Sequence, residues 1–328
     1  MNEDGFRKFL EGRQLPEDKI DRAISTVEKF EAFSSDSDQP TTPEQARPDD
    51  VHAFSKLLLQ KGLNTFDTFV ALARYGQFVN NNALYVAVIE LLDGSEALEN
   101  LYKKLADEIG EKCRDEIFDG VDLPPLGTPN TKKPRLTQVV IGRLERAVGT
   151  QMCKKILGSG LRTLPNEGYL KAKEKYRQAG SLDAYLERKG NDFITELQRI
   201  RDEGGLFFTQ PITNEVIDFV QRRPEIRQGV REGNTLYETK IPYMTGSYLA
   251  ETDERMKRYY YCHCPWVRES LRTGEVQVSP AFCNCSAAFH KRPYEVIFDR
   301  SLEAEVLETV LKGDSWCRFA IHLPKDVT

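Results

Sequence analysis

Two Cys-x-Cys pairs lie near the carboxyl-terminal end of this 328-residue chain, Cys262 with Cys264 and Cys283 with Cys285. A fifth cysteine, Cys317, follows them, which leaves only two of the seven cysteines elsewhere. Grouped cysteines in a chain of this size are typical of metal or catalytic ligands. Four thiolates complete a tetrahedral zinc site, although zinc motifs usually place two to four residues between paired cysteines. The sequence therefore predicts Cys262, Cys264, Cys283 and Cys285 as metal ligands, with zinc as the candidate cofactor.

The same residues are candidates for thiol chemistry. Cys264 and Cys285 each precede a predicted short helix, and a helix amino terminus favours a thiolate. His263 and His290 lie near them in the sequence and can serve as the base of a Cys–His pair. The candidate catalytic residues are therefore His263, Cys264, Cys285 and His290.

Two other interpretations of the cysteines stay open. Unpaired cysteines are often small buried hydrophobic residues with no chemical role. Alternatively, the two pairs form a redox-sensitive disulfide with each other, since a bond within one Cys-x-Cys unit would be strained.

Positive charge accompanies the cysteines. Lys240, Arg268, Arg272 and Arg318 lie in the same part of the sequence, and arginine forks are suited to bind a carboxylate. We expect these four residues to bind the substrate, and the alternative for each of them is a solvated surface position.

The elements that must position these residues form an α+β arrangement, with an all-helical N-terminal part followed by a C-terminal domain with an antiparallel sheet. Apolar residues at helical spacing predict helices through most of the first 200 residues. The predicted helices are Asp49–Lys61, Phe66–Val79, Ala83–Leu92, Ser95–Ile109, Leu136–Val148, Met152–Leu157, Gly168–Arg177, Leu182–Arg188 and Asp192–Arg201. A polar, proline-rich connection is expected at Ser34–Asp50.

After Gly205 the pattern changes to aromatic and β-branched runs. Alternation around Gly313-Asp314 predicts a closing hairpin of Val306–Leu311 and Trp316–Leu323. The tyrosine triplet Tyr259–Tyr261 is expected to form a half-buried strand. Two short helices are predicted in this part, at Trp266–Arg272, with Pro265 as its first residue, and at Ser286–Val296.

The length suggests more than one domain, because single cores rarely exceed roughly 250–300 residues. Composition shifts predict a helical domain at 1–119, a helical connecting region at 120–204 and a cysteine-rich α+β domain at 205–328. The proline- and glycine-rich stretch Gly120–Pro134 marks the first boundary.

Charge and hydropathy exclude some classes of function. A net charge of −5 and a pI near 5.6 argue against nucleic-acid binding. No apolar run approaches the roughly 18 residues that a membrane span needs, and the first residues lack a secretory pattern. We expect a soluble, cytoplasmic protein that binds a small molecule and neither nucleic acid nor membrane. Homo-oligomerisation stays open.

The ending Gly313-Asp314-x-x-Cys317-x-Phe319-x-Ile321 resembles the closing hairpin of vinyl-reductase-type small-molecule-binding domains. It is also similar to the end of the L-2-amino-thiazoline-4-carboxylic acid hydrolase family, and the upstream cysteines favour the latter. The resemblance covers roughly residues 205–324. It implies bacterial relatives, an α+β domain with a ligand cavity under a sheet, and opening of the C–N bond of a cyclic amidine on a small carboxylate.

Two functions are consistent with these patterns. One is a hydrolase acting on a small carboxylated or sulfur- and nitrogen-containing substrate through a Cys/His site, with or without metal. The other is a small-molecule-binding sensor module with structural zinc or redox-active cysteines.

Overall fold

The computed structural model describes residues 1–36, 40–162 and 166–327. The chain divides into two compact units. Unit 1 combines Met1–Ser95 with Leu123–Lys133, and unit 2 combines Glu96–Asp122 with the chain from Pro134 onwards.

Unit 1 is helical. Its helices are α1 (Glu3–Glu11), α2 (Glu17–Ser35), α3 (Pro48–Lys61), α4 (Phe66–Phe78) and α5 (Asn82–Leu92). Three of them begin at a residue whose side chain accepts a hydrogen bond from a backbone N–H of the first turn, at Asn2, Thr65 and Asn81, which stabilises a helix start. Apolar residues from all five helices form one core.

The segment Leu123–Lys133 returns to unit 1 after the excursion of the chain into unit 2. The Ser55 hydroxyl donates to the carbonyl of Gly127 at 2.8 Å, and the Asn64 amide donates to the carbonyl of Leu126 at 3.0 Å. These bonds pair backbone carbonyls that the packing of Leu126 against the core would otherwise leave unsatisfied.

The predicted polar connection Ser34–Asp50 contains a 3₁₀ turn at Pro43–Gln45 and the first residues of α3. Its residues 37–39 lie outside the described part of the chain.

Unit 2 contains helices and all of the described strands. Its helices are α6 (Ala97–Ile109), α7 (Glu111–Phe118), α8 (Lys133–Leu157), α9 (Glu167–Ala179), α10 (Leu182–Asp202), α11 (Asn214–Gln221), α12 (Pro224–Arg227), α13 (Thr245–Ala250), α14 (Glu254–Tyr261), α15 (Arg268–Thr273) and α16 (Asn284–Phe298). Its strands are β1 (Leu206–Phe207), β2 (Gln210–Pro211), β3 (Val230–Glu232), β4 (Thr235–Thr239), β5 (Glu303–Glu308) and β6 (Arg318–His322). The predicted α+β arrangement with a helical N-terminal part is confirmed.

Of the two longest helices in unit 2, α8 is interrupted and α10 is continuous. Helix α8 is broken at Gly149, which has φ 77° and ψ 159°, and this is where the sequence predicts two helices. Helix α10 was predicted as two pieces separated at Gly190 but runs without a break. The Gln228 side chain packs closely against Gly190. A Cβ at this position would lie 2.5 Å from the Oε1 atom of Gln228, which favours glycine within the helix.

The main sheet has four antiparallel strands in the order β3-β4-β6-β5. In its register Leu236 lies opposite Ile321 and Glu238 lies opposite Phe319. The predicted closing hairpin is present as β5 and β6, with an irregularity between Val306 and Glu308.

The predictions for the segment around the first cysteine pair were partly wrong. Tyr259–Tyr261 end helix α14 instead of forming a strand, because the Asp253 carboxylate caps that helix by accepting from the Met256 N–H. Helix α15 begins at Arg268, so Pro265 is not its first residue.

One face of the sheet is covered by helices α9, α10 and α16. Leu236 and Ile321 on that face share a buried cluster with Leu182, Leu186 and Ile297. Because side chains alternate along a strand, Glu238 faces the same way as Leu236, towards the helices.

Candidate functional site

Strand β4 and helix α16 bring together four polar residues that we name the strand–helix quartet: Glu238, Lys240, Ser286 and His290. The His290 Nδ1 lies 2.8 Å from Glu238 Oε2, and the Lys240 Nζ lies 3.0 Å from Ser286 Oγ. Glu238 and Lys240 are two residues apart along an extended chain, and Ser286 and His290 are one helical turn apart. Both spacings place the members of a pair on one face, so the quartet forms two parallel contacts between strand and helix.

Lys240 lies just beyond β4, but its N–H still donates to the Cys317 carbonyl at 3.0 Å. This bond extends the pairing of β4 with β6 by one residue beyond each strand. It keeps Lys240 in register with Glu238, so that both side chains point towards α16.

His290 has one ring nitrogen engaged and the other unpaired. Its Nδ1 must donate, since the Glu238 carboxylate can only accept. Its Nε2 is buried and has no hydrogen-bond partner among the described residues. The ring stacks on Phe319 with centroids 4.5 Å apart.

Burial lowers the pKa of His290, and although Glu238 opposes this shift, the pKa stays below its usual value. The imidazole is therefore neutral near neutral pH, with an available lone pair on Nε2. A buried base of this kind, oriented by a carboxylate, is the arrangement of a general base.

Glu238 is a buried carboxylate, 7% exposed. Its Oε1 accepts from Lys189 Nζ at 2.7 Å and from the Tyr294 hydroxyl at 2.6 Å. Burial alone would raise the pKa of Glu238, but the charge of Lys189 and the hydrogen bond from His290 outweigh it and hold the pKa well below its usual range. The carboxylate therefore stays ionised and fixes the orientation of His290.

Lys240 supplies a cation at the edge of the quartet. Its Nζ lies 5.6 Å from the centre of the Phe289 ring, and Phe289 is 40% exposed. Lys240 and Ser286 are themselves partly exposed. Solvent, or a ligand, can therefore reach the quartet from this side.

The structure brings the five late cysteines close to one another. Cys283 Sγ and Cys317 Sγ lie 3.0 Å and 4.0 Å from the same hydroxyl, Thr309 Oγ1. Burial raises the pKa of Cys262, and the neighbouring Cys264 and Cys317 add to the shift. The predicted convergence of the two Cys-x-Cys pairs with Cys317 is therefore present.

Burial keeps the thiols of Cys262, Cys283, Cys285 and Cys317 protonated. It raises the pKa of Cys285 to about 12, with a further contribution from Cys264. It also raises the pKa of Cys283 and of Cys317. If one of these four cysteines is a nucleophile, it needs a group that removes its proton.

No three His, Cys, Asp or Glu side chains in the described ranges are arranged to hold a metal ion. Cys283, for example, faces the Thr309 hydroxyl. Zinc bound by Cys262, Cys264, Cys283 and Cys285 stays a prediction, and it requires these side chains to change rotamer.

His263 is bound to the backbone. Its Nε2 donates to the Ile241 carbonyl at 2.7 Å, and its ring meets Tyr243 edge-on. Burial and then the charge of Lys240 lower the pKa of His263 well below its usual value. His263 is a neutral side chain anchored to the backbone, and a catalytic role for it stays a prediction.

The structure does not group the predicted substrate-binding cations. Arg318 lies opposite Thr239 and makes a bidentate ion pair with Glu225, at 2.9 and 2.7 Å. This is the sheet face opposite to Lys240. Lys240 therefore lies at the quartet and Arg318 on the other face of the sheet, and substrate binding by the four predicted cations stays a prediction.

The other two arginines belong to α15. The Arg268 guanidinium is buried over the Tyr243 ring at 4.3 Å, and Arg272 pairs with Glu269 at 2.7 Å. Arg268 adds positive charge near His263, whereas Arg272 is exposed and held by its carboxylate partner.

Sequence reasoning missed Glu238, Ser286, Tyr294 and Lys189. A signal was available for three of them. Ser286, His290 and Tyr294 recur every four residues, which places them on one face of a helix, and Glu238 is a charged residue within an aromatic and β-branched run. Lys189 gives no local signal.

An open pocket of about 630 Å³ lies elsewhere in unit 2, between α8 and the segment before α16. Arg143, Arg146 and Gln277 are among its lining residues, and no member of the quartet is. It contains no candidate acid or base, so the chemistry of the quartet is the better guide to a reactive site.

Comparison with protein-family models, with curated proteins and with solved structures found no match. The resemblance of the closing hairpin to the amino-thiazoline carboxylate hydrolases therefore stays a prediction. None of the helices that the structure describes is both long and apolar enough to cross a membrane.

Proposed function

We propose that the protein is a hydrolase that opens a C–N bond in a small, carboxylated substrate, with His290 as the general base. The observation that carries this proposal is the buried, unpaired Nε2 of His290, whose opposite nitrogen is held by the ionised Glu238. In the reaction His290 accepts a proton from the attacking oxygen. It then returns that proton to the leaving nitrogen as the C–N bond breaks.

Lys240 is the candidate partner for the substrate carboxylate. Its ammonium group lies beside the partly exposed Phe289, at the accessible side of the quartet. The ammonium group of Lys240 can pair with a substrate carboxylate, while the Phe289 ring packs against the small ring of the substrate. The cyclic amidine carboxylates suggested by the closing hairpin belong to this chemical class.

The test uses L-2-amino-thiazoline-4-carboxylate and follows its consumption by chromatography. We expect turnover by the wild-type protein and a loss of at least about 100-fold in His290→Gln, which is the usual contribution of a general base.

His322→Gln is the matched control. His322 also pairs with a glutamate, at 2.7 Å from Glu305, but this pair is exposed. Turnover should be unchanged in this variant. Wild-type protein that leaves the compound intact, or equal rates in wild type and His290→Gln, would contradict the proposed reaction.

A second candidate function is a small-molecule sensor with structural zinc or redox-active cysteines. The approach of Cys283 and Cys317 to the same Thr309 hydroxyl favours it, as does the closeness of Cys262 to Cys264 and Cys317. Metal analysis of protein purified without chelator, with a thiol count before and after mild oxidation, distinguishes the two functions. Stoichiometric zinc whose removal unfolds the protein, or a rapidly formed disulfide, would support the sensor.

A cytoplasmic location belongs to the same proposal. Cys262, Cys283, Cys285 and Cys317 carry free thiols, which fits a reducing compartment. A small molecule is the proposed partner, and self-association is a matter for measurement in solution.

A further inference from the structure

Ser286 is the hydroxyl of the quartet. It lies in the first turn of α16 and is partly exposed. Its Oγ is 3.0 Å from Lys240 Nζ. An ammonium group can only donate, so Ser286 accepts this hydrogen bond and its own proton remains available for another acceptor.

His290 offers that acceptor. It lies one turn further along α16, and side chains at this spacing have Cβ atoms roughly 5–6 Å apart. Its Nε2 lone pair is unpaired in the described structure. In the described rotamer the hydroxyl oxygen stays on Lys240, and a bond from its proton to this nitrogen would form in the substrate complex, because catalytic hydrogen bonds often become short only when substrate is bound.

The surroundings of Ser286 also favour negative charge on its oxygen. The Lys240 ammonium is already in contact with that oxygen. The first turn of a helix carries the positive end of its dipole.

We propose that Ser286 is the covalent nucleophile of this site, activated by His290 and assisted by Lys240. This inference rests on the proposed hydrolase function and adds an enzyme-bound intermediate to it.

The proposed steps balance as follows. The Ser286 oxygen forms a bond to the amidine carbon, its proton moves to His290, and the electron pair of the C=N bond moves to nitrogen. The electron pair on the retained nitrogen then re-forms the C=N bond as the other C–N bond breaks, and the leaving nitrogen takes the proton from His290. Water next adds to the carbon of this serine ester, giving one proton to His290, while the C=N electron pair moves to the retained nitrogen. That nitrogen takes the second proton of the water as the C=O bond forms and the bond to the Ser286 oxygen breaks, and Ser286 takes its proton back from His290.

The first experiment treats the full-length protein with a fluorophosphonate, whose fluoride a reactive serine displaces. Peptide mass spectrometry should locate the adduct on Ser286. Ser286→Ala should abolish labelling. The matched control Ser301→Ala, an exposed serine just beyond α16, should label as the wild type does.

The labelling rate should depend on His290. We expect at least about a 100-fold slower rate in His290→Gln. In the wild type the rate should rise with pH and level off below the usual imidazole pKa of about 6.5. A purely structural serine would show no such profile. Failure to label, labelling at another residue, or labelling that is independent of His290 would overturn the inference.

Turnover separates this inference from the function on which it rests. If Ser286→Ala keeps the wild-type rate while His290→Gln loses it, water is the nucleophile, so the hydrolase stands and the inference fails. If the wild type does not consume the amino-thiazoline carboxylate, the proposed function fails, and the fluorophosphonate result still decides whether Ser286 is nucleophilic. Circular dichroism of each variant confirms that it is folded.

Discussion

At the scale of single residues, Glu238 has the clearest energetic role. It is a buried carboxylate with three donors, from Lys189, Tyr294 and His290. Removing one partner of a buried charged pair typically costs about 3–5 kcal/mol, because the other charge is left without compensation. We therefore expect Glu238→Gln to lower the free energy of unfolding by about 3 kcal/mol, measured by urea unfolding at neutral pH.

This effect should depend on pH. The pKa of Glu238 is lower in the folded than in the unfolded state. Its stabilising contribution is therefore complete above the unfolded pKa of about 4.3 and is lost as the pH falls towards the folded value. The difference in unfolding free energy between wild type and Glu238→Gln should shrink between about pH 5 and pH 3. Glu305→Gln, at the exposed pair with His322, should show little change at any pH, and an equal effect in both variants would refute this account.

The sequence predicted part of the site at this scale. The late cysteines stand out by their number and spacing, and they do converge. Glu238 and His290 are 52 residues apart and meet only when β4 packs against α16, so local patterns cannot predict their pairing. The cysteine environments were also beyond local patterns, because burial outweighs the expected effect of a helix start on Cys285.

At the scale of elements, the break in α8 offers a sharp test. Gly149 has φ 77°, a region that is costly for residues with a Cβ. No atom lies within 4 Å of a Cβ built there, so any effect of Gly149→Ala comes from the backbone alone. We expect this substitution to destabilise the protein by about 1–3 kcal/mol, measured by urea unfolding.

Gly142→Ala is the matched control within the same helix. Gly142 lies in a regular part of α8, and its built Cβ has Arg146 Nη1 as nearest neighbour at 3.8 Å. Alanine should stabilise the helix there by roughly 0.5–1 kcal/mol. Effects of the same sign in both variants would mean that the break at Gly149 does not require a glycine.

The elements themselves were largely predictable where the signal is local. The closing hairpin follows from alternation around Gly313-Asp314, and the break in α8 lies between the predicted helices Leu136–Val148 and Met152–Leu157. The prediction of a strand at the tyrosine triplet was wrong. Aromatic residues favour strands, but the Asp253 cap begins a helix that runs to Tyr261. The short helices α11 to α13 depend on packing and were not predicted.

At the scale of the whole molecule, unit 1 is assembled from two separate stretches of chain. The bond from Ser55 to the Gly127 carbonyl links them in a buried position. Ser55→Ala leaves that carbonyl without its donor and should cost about 1–2 kcal/mol, measured by urea unfolding. Ser35→Ala, exposed at the end of α2, is the control and should have little effect. A Ser55→Ala protein as stable as the wild type would mean that the returning segment is held by other contacts.

The stacking of His290 on Phe319 has a consequence for spectroscopy. With ring centroids 4.5 Å apart and planes inclined by 25°, the imidazole protons lie in the shielding cone of the phenyl ring. Their magnetic resonance signals should therefore shift upfield of those of an exposed histidine such as His322. A ligand that enters the quartet and turns the imidazole would move these signals, so the Phe319 ring current can report occupancy of the site before any substrate is known.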